Sequence, residues 1–341
     1  MRKLTFILIL LLNVVYYSCS KDSSSTIEEK ETTIFAMYND FENSLGAIKL
    51  WKNGNITNVT NGTSDAYGSA MHVSNSDVYI VGDQDNSSTD NRDQKLWKNG
   101  VEVSLADVTP GVTFLKDVSY SNNTLYLLGY DIINNKNRIK LWKNGVASYV
   151  TDGTTNSIPQ KIYVDNDDVY ILGRTQNDTN SKTVLTVWKN GVSSSLTDGN
   201  NSVFARDIFV SNGNVYVLGR EVIDAVTISK LWVNGLEKTI FDNGFNAEKL
   251  FVNNNDVYIV GTTPANGGLR TGKVYKNSEL LADLGSGATT SYGISVFVKN
   301  DIVYAAFAEQ IDNSRKYTSK LWVDGETKEL ALGWVEDIFV E

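Results

Sequence analysis

Few side chains in this 341-residue chain could do chemistry. His72 is its only histidine and Cys19 its only cysteine. A zinc centre needs imidazole or thiolate partners that one histidine and one cysteine do not supply. His72 stands in the apolar stretch Ala70-Met-His-Val73 and reads as a packed or hydrogen-bonded residue. Asp83, Asp85 and Asp90 offer the oxygen ligands that calcium prefers, but the glycine an EF-type loop requires is missing. Asp165-Asn-Asp-Asp168 has the composition of a hairpin turn. Two converging carboxylates would support glycoside chemistry, and nothing in the linear sequence selects a pair. The reading is non-catalytic, with neither cofactor nor metal.

What repeats is aromatic. Lys49-Leu-Trp-Lys-Asn-Gly54 returns at 95–100 and 140–145, then as Thr186-Val-Trp-Lys-Asn-Gly191 and Lys230-Leu-Trp-Val-Asn-Gly235. It degrades at Lys273-Val-Tyr-Lys-Asn-Ser278 and recovers at Lys320-Leu-Trp-Val-Asp-Gly325. The aromatic positions Trp51, Trp97, Trp142, Trp188, Trp232, Tyr275 and Trp322 lie 46, 45, 46, 44, 43 and 47 residues apart. Such a period, made of short strands, marks a radial β-array. Recurrence in every repeat assigns these rings to packing between blades rather than to a sugar site.

Each repeat divides into four strands. Strand A is typified by Arg206-Asp-Ile-Phe-Val210, with a weaker version at Ala70–Val73. Strand B is Asp77-Val-Tyr-Ile-Val-Gly82 and its relatives, apolar on both faces and therefore covered on both. Strand C carries the aromatic phrase. Strand D alternates, as in Val101-Glu-Val-Ser-Leu105, which predicts one buried and one wet face. Asn-Gly between C and D is a two-residue hairpin signal. The three prolines, 110, 159 and 264, are expected in loops. The chain opens with a B strand near Ile34–Tyr38 and finishes with an A strand at Glu336–Val340. Pairing those two closes the ring without an open edge. The expectation is an all-β, seven-bladed β-propeller over residues 33–341, with four antiparallel strands per blade.

The repeats resemble those of Bacteroidetes lipoprotein β-propellers, built from units of the type VYVAG, LWKNG and LTDG. The resemblance covers 33–341 and implies the fold; it implies no particular activity. The Ser-x-Asp-x-Gly-x-Thr-Trp box common in propeller hydrolases does not occur here. Connections A–B and C–D share one face of the disc and are tight turns. Links B–C span roughly ten residues (Asp83–Asp93, for example), share no sequence, and are expected as variable loops for recognition on the other face. An aromatic or apolar residue recurs ahead of strand A at Tyr67, Phe114, Ile158, Phe204, Tyr292 and Trp334, with Phe245 offset by one. These rings either circle the channel mouth and stack on flat ligands or plug the gaps between blades.

Residues 1–18 are set apart by Arg2, Lys3 and the apolar run Leu4–Tyr17, too short to span a bilayer, which takes about 20 residues. With Ser18-Cys19 the segment resembles a bacterial lipoprotein signal, which implies lipidation of Cys19; an ordinary secretory signal cut near Ser18 is the alternative. Residues 19–32 are then a lipidated tether, and Lys21-Asp22 resembles the start of a surface-export signal. Removing 1–18 leaves 29 basic and 40 acidic residues, a net charge of −11. That balance opposes nucleic-acid binding. The expected protein is a monomer anchored in the outer membrane, on the periplasmic or cell-surface side, that meets a protein or glycan partner. A lectin-like module is the second reading and a glycan-acting hydrolase or lyase the third. Cys19→Ala is expected to move the protein from the membrane pellet to the soluble fraction, because acyl chains hold at about 0.8 kcal/mol per buried CH₂. A mutant that still pellets, beside a wild type that takes up no labelled palmitate, would contradict the anchor.

Overall fold

The computed structural model describes residues 32–41, 45–88, 91–177, 179–241, 244–264, 268–312 and 315–341. Cys19, the rest of the signal and tether through residue 31, and Asp90 lie outside the described residues. Residues 33–341 form one unit, in which the described residues hold 28 strands and no helix. Blade 1 contains β1 (Ile34–Asp40), β2 (Ala47–Lys52) and β3 (Asn55–Asn58). Blade 2 is β4 (Ala66–Ser74), β5 (Asp77–Asn86), β6 (Asn91–Lys98) and β7 (Val101–Val103). Blade 3 is β8 (Thr113–Ser121), β9 (Thr124–Ile133), β10 (Lys136–Lys143) and β11 (Val146–Tyr149). Blade 4 is β12 (Ser157–Asp165), β13 (Asp168–Gln176), β14 (Thr183–Lys189) and β15 (Val192–Ser195). Blade 5 is β16 (Ser202–Ser211), β17 (Asn214–Ile223), β18 (Val226–Val233) and β19 (Leu236–Phe241). Blade 6 is β20 (Asn246–Asn253), β21 (Asp256–Pro264), β22 (Arg270–Lys276) and β23 (Glu279–Leu284). Blade 7 is β24 (Ser291–Lys299), β25 (Ile302–Gln310), β26 (Tyr317–Val323) and β27 (Glu326–Leu332).

Every blade is a four-stranded antiparallel sheet, and β28 (Trp334–Val340) supplies strand A of blade 1. The A strands touch in sequence around the axis, and β28 meets β4 to complete a seven-bladed propeller. Closure is a regular ladder. Ile34 pairs with Val340 and Asn39 with Trp334, and Thr33 and Glu341 exchange both backbone bonds at 2.9 Å.

The repeated phrase has a local use for each residue. The turn residues Asn53, Asn99, Asn144, Asn190, Asn234, Asn277 and Asp324 have positive φ, as a C–D turn with right-handed strand twist demands. Each of these side chains also accepts the backbone N–H that begins strand B, from Ile34, Val78, Leu125, Val169, Val215, Val257 or Val303, at 2.8–3.0 Å. The second lysine of the phrase reaches the aspartate that opens strand B: Lys98–Asp77 and Lys189–Asp168 at 2.7 Å, Lys276–Asp256 at 2.8 Å. Its first lysine pairs with an acid further along strand B, as in Lys140–Asp131 at 3.0 Å and Lys230–Glu221 at 2.7 Å. Burial makes these inner pairs costly to break by halves.

The strand C rings are all buried, and each joins a cluster with residues of the preceding blade. Trp97 packs on Phe35, Met37 and Ile48 of blade 1, Trp142 on Tyr79, Val81 and Leu96 of blade 2, and Trp188 on Tyr126, Leu128 and Ile139 of blade 3. Trp232, Tyr275 and Trp322 repeat the relation, and Trp51 packs on Tyr304, Ala306 and Leu321 of blade 7. Seven aromatic contacts thus fill seven inter-blade gaps.

Three expectations need correction. Strand D does not bury one face in every blade: β3, β7 and β15 are exposed throughout and Val146 is 73% exposed, because blades splay apart toward the rim, whereas Phe241, Leu284 and Leu330 of β19, β23 and β27 are buried. The B–C links are not ten-residue loops. Most of their residues continue strands B and C as projecting hairpins, closed by as few as two residues at 134–135 and 224–225. Their side chains are polar and unlike, which hid the pairing. Pro159 lies within β12, and Pro264 ends β21. Strand A is the inner edge of its sheet and bulges directly after Pro159, an edge position next to a bulge where a missing N–H is tolerated.

Trp142 is fully buried and its Nε1 donates to the Ala106 carbonyl at 3.1 Å. Trp142→Ala is expected to destabilise the propeller by about 3–5 kcal/mol, the cost of an aromatic lost from a core. A loss under about 1 kcal/mol in urea unfolding would contradict the inter-blade packing.

Candidate functional site

All seven A strands carry a one-residue β-bulge at the same register. The bulged residues are Ser69, Lys116, Gln160, Arg206, Glu248, Ile294 and Glu336, and all seven line one axial cavity of about 340 Å³. A bulge re-aims a side chain out of the alternation its strand would impose. The glycine ending strand B makes room for it. A Cβ on Gly82, Gly129, Gly173 or Gly261 would stand 2.1–2.4 Å from the carbonyl oxygen of Tyr67, Phe114, Ile158 or Asn246. Phe307 and Tyr38 hold that register in blades 7 and 1, where the bulge persists. The sequence reading missed this ring. Its signal was present: strand B glycine opposite a strand A with one residue too many.

The ring is polarised. Lys116 and Arg206 are its cations, on blades 3 and 5 with Gln160 between them; Glu248 and Glu336 are its acids, on blades 6 and 1. Arg206 stands 3.6 Å from Glu248, which also binds the Arg220 guanidinium, yet Arg206 Nε is buried without a hydrogen-bond partner. Burial lowers the pKa of Lys116. Burial pushes Glu336 up to about 7, although Asn39 Nδ2 donates to it at 2.9 Å.

One residue further along, strand A closes the cavity floor with a charged belt. Asp117 takes the Ile162 N–H at 2.8 Å and Asp207 the Leu250 N–H at 2.9 Å, each from the following blade. Lys161 meets Asp117 at 3.0 Å, Lys249 pairs with Asp337, and Ser295 Oγ donates to Asp337 at 2.8 Å. Burial raises Asp117, and Asp207 to about 6. Burial opposes the charge of Lys161, but Asp117, Asp337 and Asp207 together hold it above the ordinary lysine value. Beneath the belt is a second cavity of about 330 Å³. There Tyr163, Phe209, Phe251, Phe297, Phe339 and His72 form an arc, each ring 4.5–5.5 Å from the next. His72 is thus a packed residue, kept to a pKa of about 4 first by burial and then by Lys161.

The mouth aromatics fare differently. Tyr292 and Trp334 line the cavity, 5.3 Å apart, and Tyr317 joins Trp334 edge-on at 5.0 Å. Tyr67 is covered by Arg92 at 4.6 Å, and Phe114 stacks on Tyr130 at 5.2 Å. Phe204 stands exposed between Arg174 and Arg206 at 5.6 and 5.9 Å. Ile158 occupies the same register of β12. Phe245 corrects the expectation. It is fully buried in the blade 5–6 core against Phe241 and Tyr275, because its one-residue offset turns it to the opposite face. Asn246 takes its place at the mouth register. Asp83 and Asp85, with Asp65, surround Arg92, whose guanidinium is the cation those carboxylates serve.

No protein-family profile and no curated protein matches this sequence. Among solved structures, the β-propeller domain of the Trilobed protease from Pyrococcus furiosus, titled as having an open velcro topology, is similar at TM-score 0.51 and 14% identity. That match covers 79% of this chain and 84% of the other. Pyrococcus horikoshii acylaminoacyl peptidase matches at 0.51 and 15%, over 79% of this chain and 46% of that one. Dihydro-heme d1 dehydrogenase NirN, in complex with DHE, matches at 0.50 and 11%, over 86% and 63%. The chain therefore spans less than two thirds of the latter two. At these identities the likeness establishes the propeller fold alone.

His72 yields a pH prediction. The ordinary value near 6.5 applies to the unfolded chain and about 4 to the folded one, so unfolding takes up a proton between them. Stability from this residue is present above about pH 6.5 and is lost as pH falls toward 4. His72→Phe extends the aromatic arc and removes that loss. Its stability relative to wild type is expected to improve by about 2 kcal/mol between pH 7 and pH 4, the partly buried ring discounting the full shift. Urea unfolding at both pH values isolates the effect from the carboxylates common to both proteins. A pH-independent difference would refute the assignment.

Proposed function

We propose that this chain is a non-catalytic binding propeller, tethered to the outer membrane of its cell through Cys19, that receives its partner at the axial mouth flanked by the B–C hairpins. One observation carries the reading. Residues that hold the blades together are nearly the same in every repeat, whereas the seven bulged residues that face the cavity are of six kinds, with both charges among them. Packing explains the uniform positions; nothing in the packing calls for this diversity. A cavity of about 340 Å³ suits the end of a glycan or a short peptide segment rather than a broad protein surface. The exposed flank of the hairpins extends the contact beyond it. The Tyr292–Trp334 pair supplies an apolar wall and the two acids supply hydrogen-bond acceptors.

One site at the axial mouth distinguishes this reading from a lectin with equivalent sites in every blade, since the mouth rings Tyr67, Phe114 and Phe204 are each engaged by different neighbours. Residues 20–341 titrated calorimetrically against oligosaccharides and peptides should bind one ligand per chain. Trp334→Ala is expected to weaken that binding about tenfold, the loss of one aromatic contact. Several equivalent sites, or affinity indifferent to Trp334→Ala, would overturn the axial reading, and turnover of the ligand would overturn the non-catalytic one.

A further inference from the structure

Three cations crowd the blade 3–5 side of the mouth. Lys116 and Arg206 project from successive odd-numbered blades by their bulges, and Arg174 of β13, which lines a neighbouring hollow with Ile158, shares the Phe204 ring with Arg206. Among the described residues, Lys116 and Arg174 form no ion pair. Burial disfavours the charge of both; Arg206 also acts unfavourably on Arg174, and on Lys116 the opposition of Arg174 is outweighed by the attraction of Asp83. The carboxylate nearest in charge to Lys116 is Asp83, which Arg92 already holds. Glu248 serves Arg206 from one side only and is shared with Arg220, leaving Arg206 Nε buried and unpartnered. Buried donors without acceptors are costly, and native proteins keep them where a ligand completes the set. The chain is acidic overall, so this cluster is no by-product of a basic surface.

The opposite wall is built for something else. Tyr292 and Trp334 present rings, and Glu336 presents oxygens that accept hydroxyl protons. A ligand with an anionic group at one end and a hydroxylated ring at the other matches both walls. Resting on the axial binding site proposed above, we infer that Lys116, Arg174, Arg206 and Gln160 form an anion subsite that takes the carboxylate or sulfate of an acidic sugar, with its ring toward Trp334. Carboxylate, with two coplanar oxygens, and sulfate, with three in a tripod, both offer anionic acceptors to guanidinium and ammonium donors.

The test uses residues 20–341 with three probes: glucuronate, glucose 6-sulfate and glucose. Both anions are expected to bind at least tenfold tighter than glucose, with an affinity that falls as sodium chloride is raised. Preference between the two identifies the source of the anion. Lys116→Gln and Arg206→Gln should each weaken the anions tenfold or more and leave glucose unchanged. Without ligand, Lys116→Gln should unfold at the same or a higher temperature than wild type, since it removes a charge that burial disfavours; a merely structural lysine would lower the midpoint. Inorganic sulfate should raise the wild-type midpoint saturably and that of Lys116→Gln less. Equal binding of anions and glucose would overturn the subsite while leaving the axial site standing. A sulfate response identical in wild type and both variants would overturn it whatever becomes of the axial site.

Discussion

The structure depends on one contact made seven times: a strand C ring laid against the blade before it. Each blade is a thin sheet that hides neither face by itself. A large ring placed at the same height in every blade fills the wedge between neighbours, and Trp142 is wholly buried in doing so. Because Trp51 of the first blade reaches back to Tyr304 and Leu321 of the seventh, the last wedge is filled by the same means as the first. The ladder between β28 and β1 then works with the packing, and sequence ends 300 residues apart become neighbours in one sheet.

The turn that follows the ring fixes its register. An asparagine that both adopts positive φ and binds the first N–H of strand B ties the end of strand C to the start of strand B. The lysine before it ties the same two points by charge where an aspartate opens strand B. Exposed pairs of this kind contribute little each, on the order of 0–1 kcal/mol. The asparagine, found with its aspartate substitute in all seven blades, contributes more to specification than to stability.

These devices were readable from sequence because they recur with the period of the fold. The spacing of Trp51 through Trp322 reveals seven blades, and the mismatch between an opening B strand and a closing A strand reveals the seam. The site was not readable in the same way. Lys116 and Arg206 stand one residue beyond positions that alternate correctly, and only the bulge, a three-dimensional misfit against Gly129 or Gly219, turns them to the axis. Phe245 shows the converse: its residue type fitted the mouth, but its place in the alternation sends it to the core. The paired hairpins are not legible as strands because Asp83 and Asp85 differ from their counterparts in every other repeat.

The bulges also separate two kinds of positional constraint. A residue in regular alternation on strand A has a fixed neighbour on strand B and presses on an adjoining blade, so changing it disturbs the framework. The extra residue at each bulge has no partner across the ladder and projects toward the axial cavity. Seven such positions surround one axis; Arg206 and Glu248 are coupled to each other, and Glu248 and Glu336 also to Arg220 and Asn39 of the sheets behind them, while the others answer to no shared ladder bond. The propeller is in this sense a fixed frame around a set of interchangeable side chains, and its selectivity can be rewritten by point changes without refolding the frame.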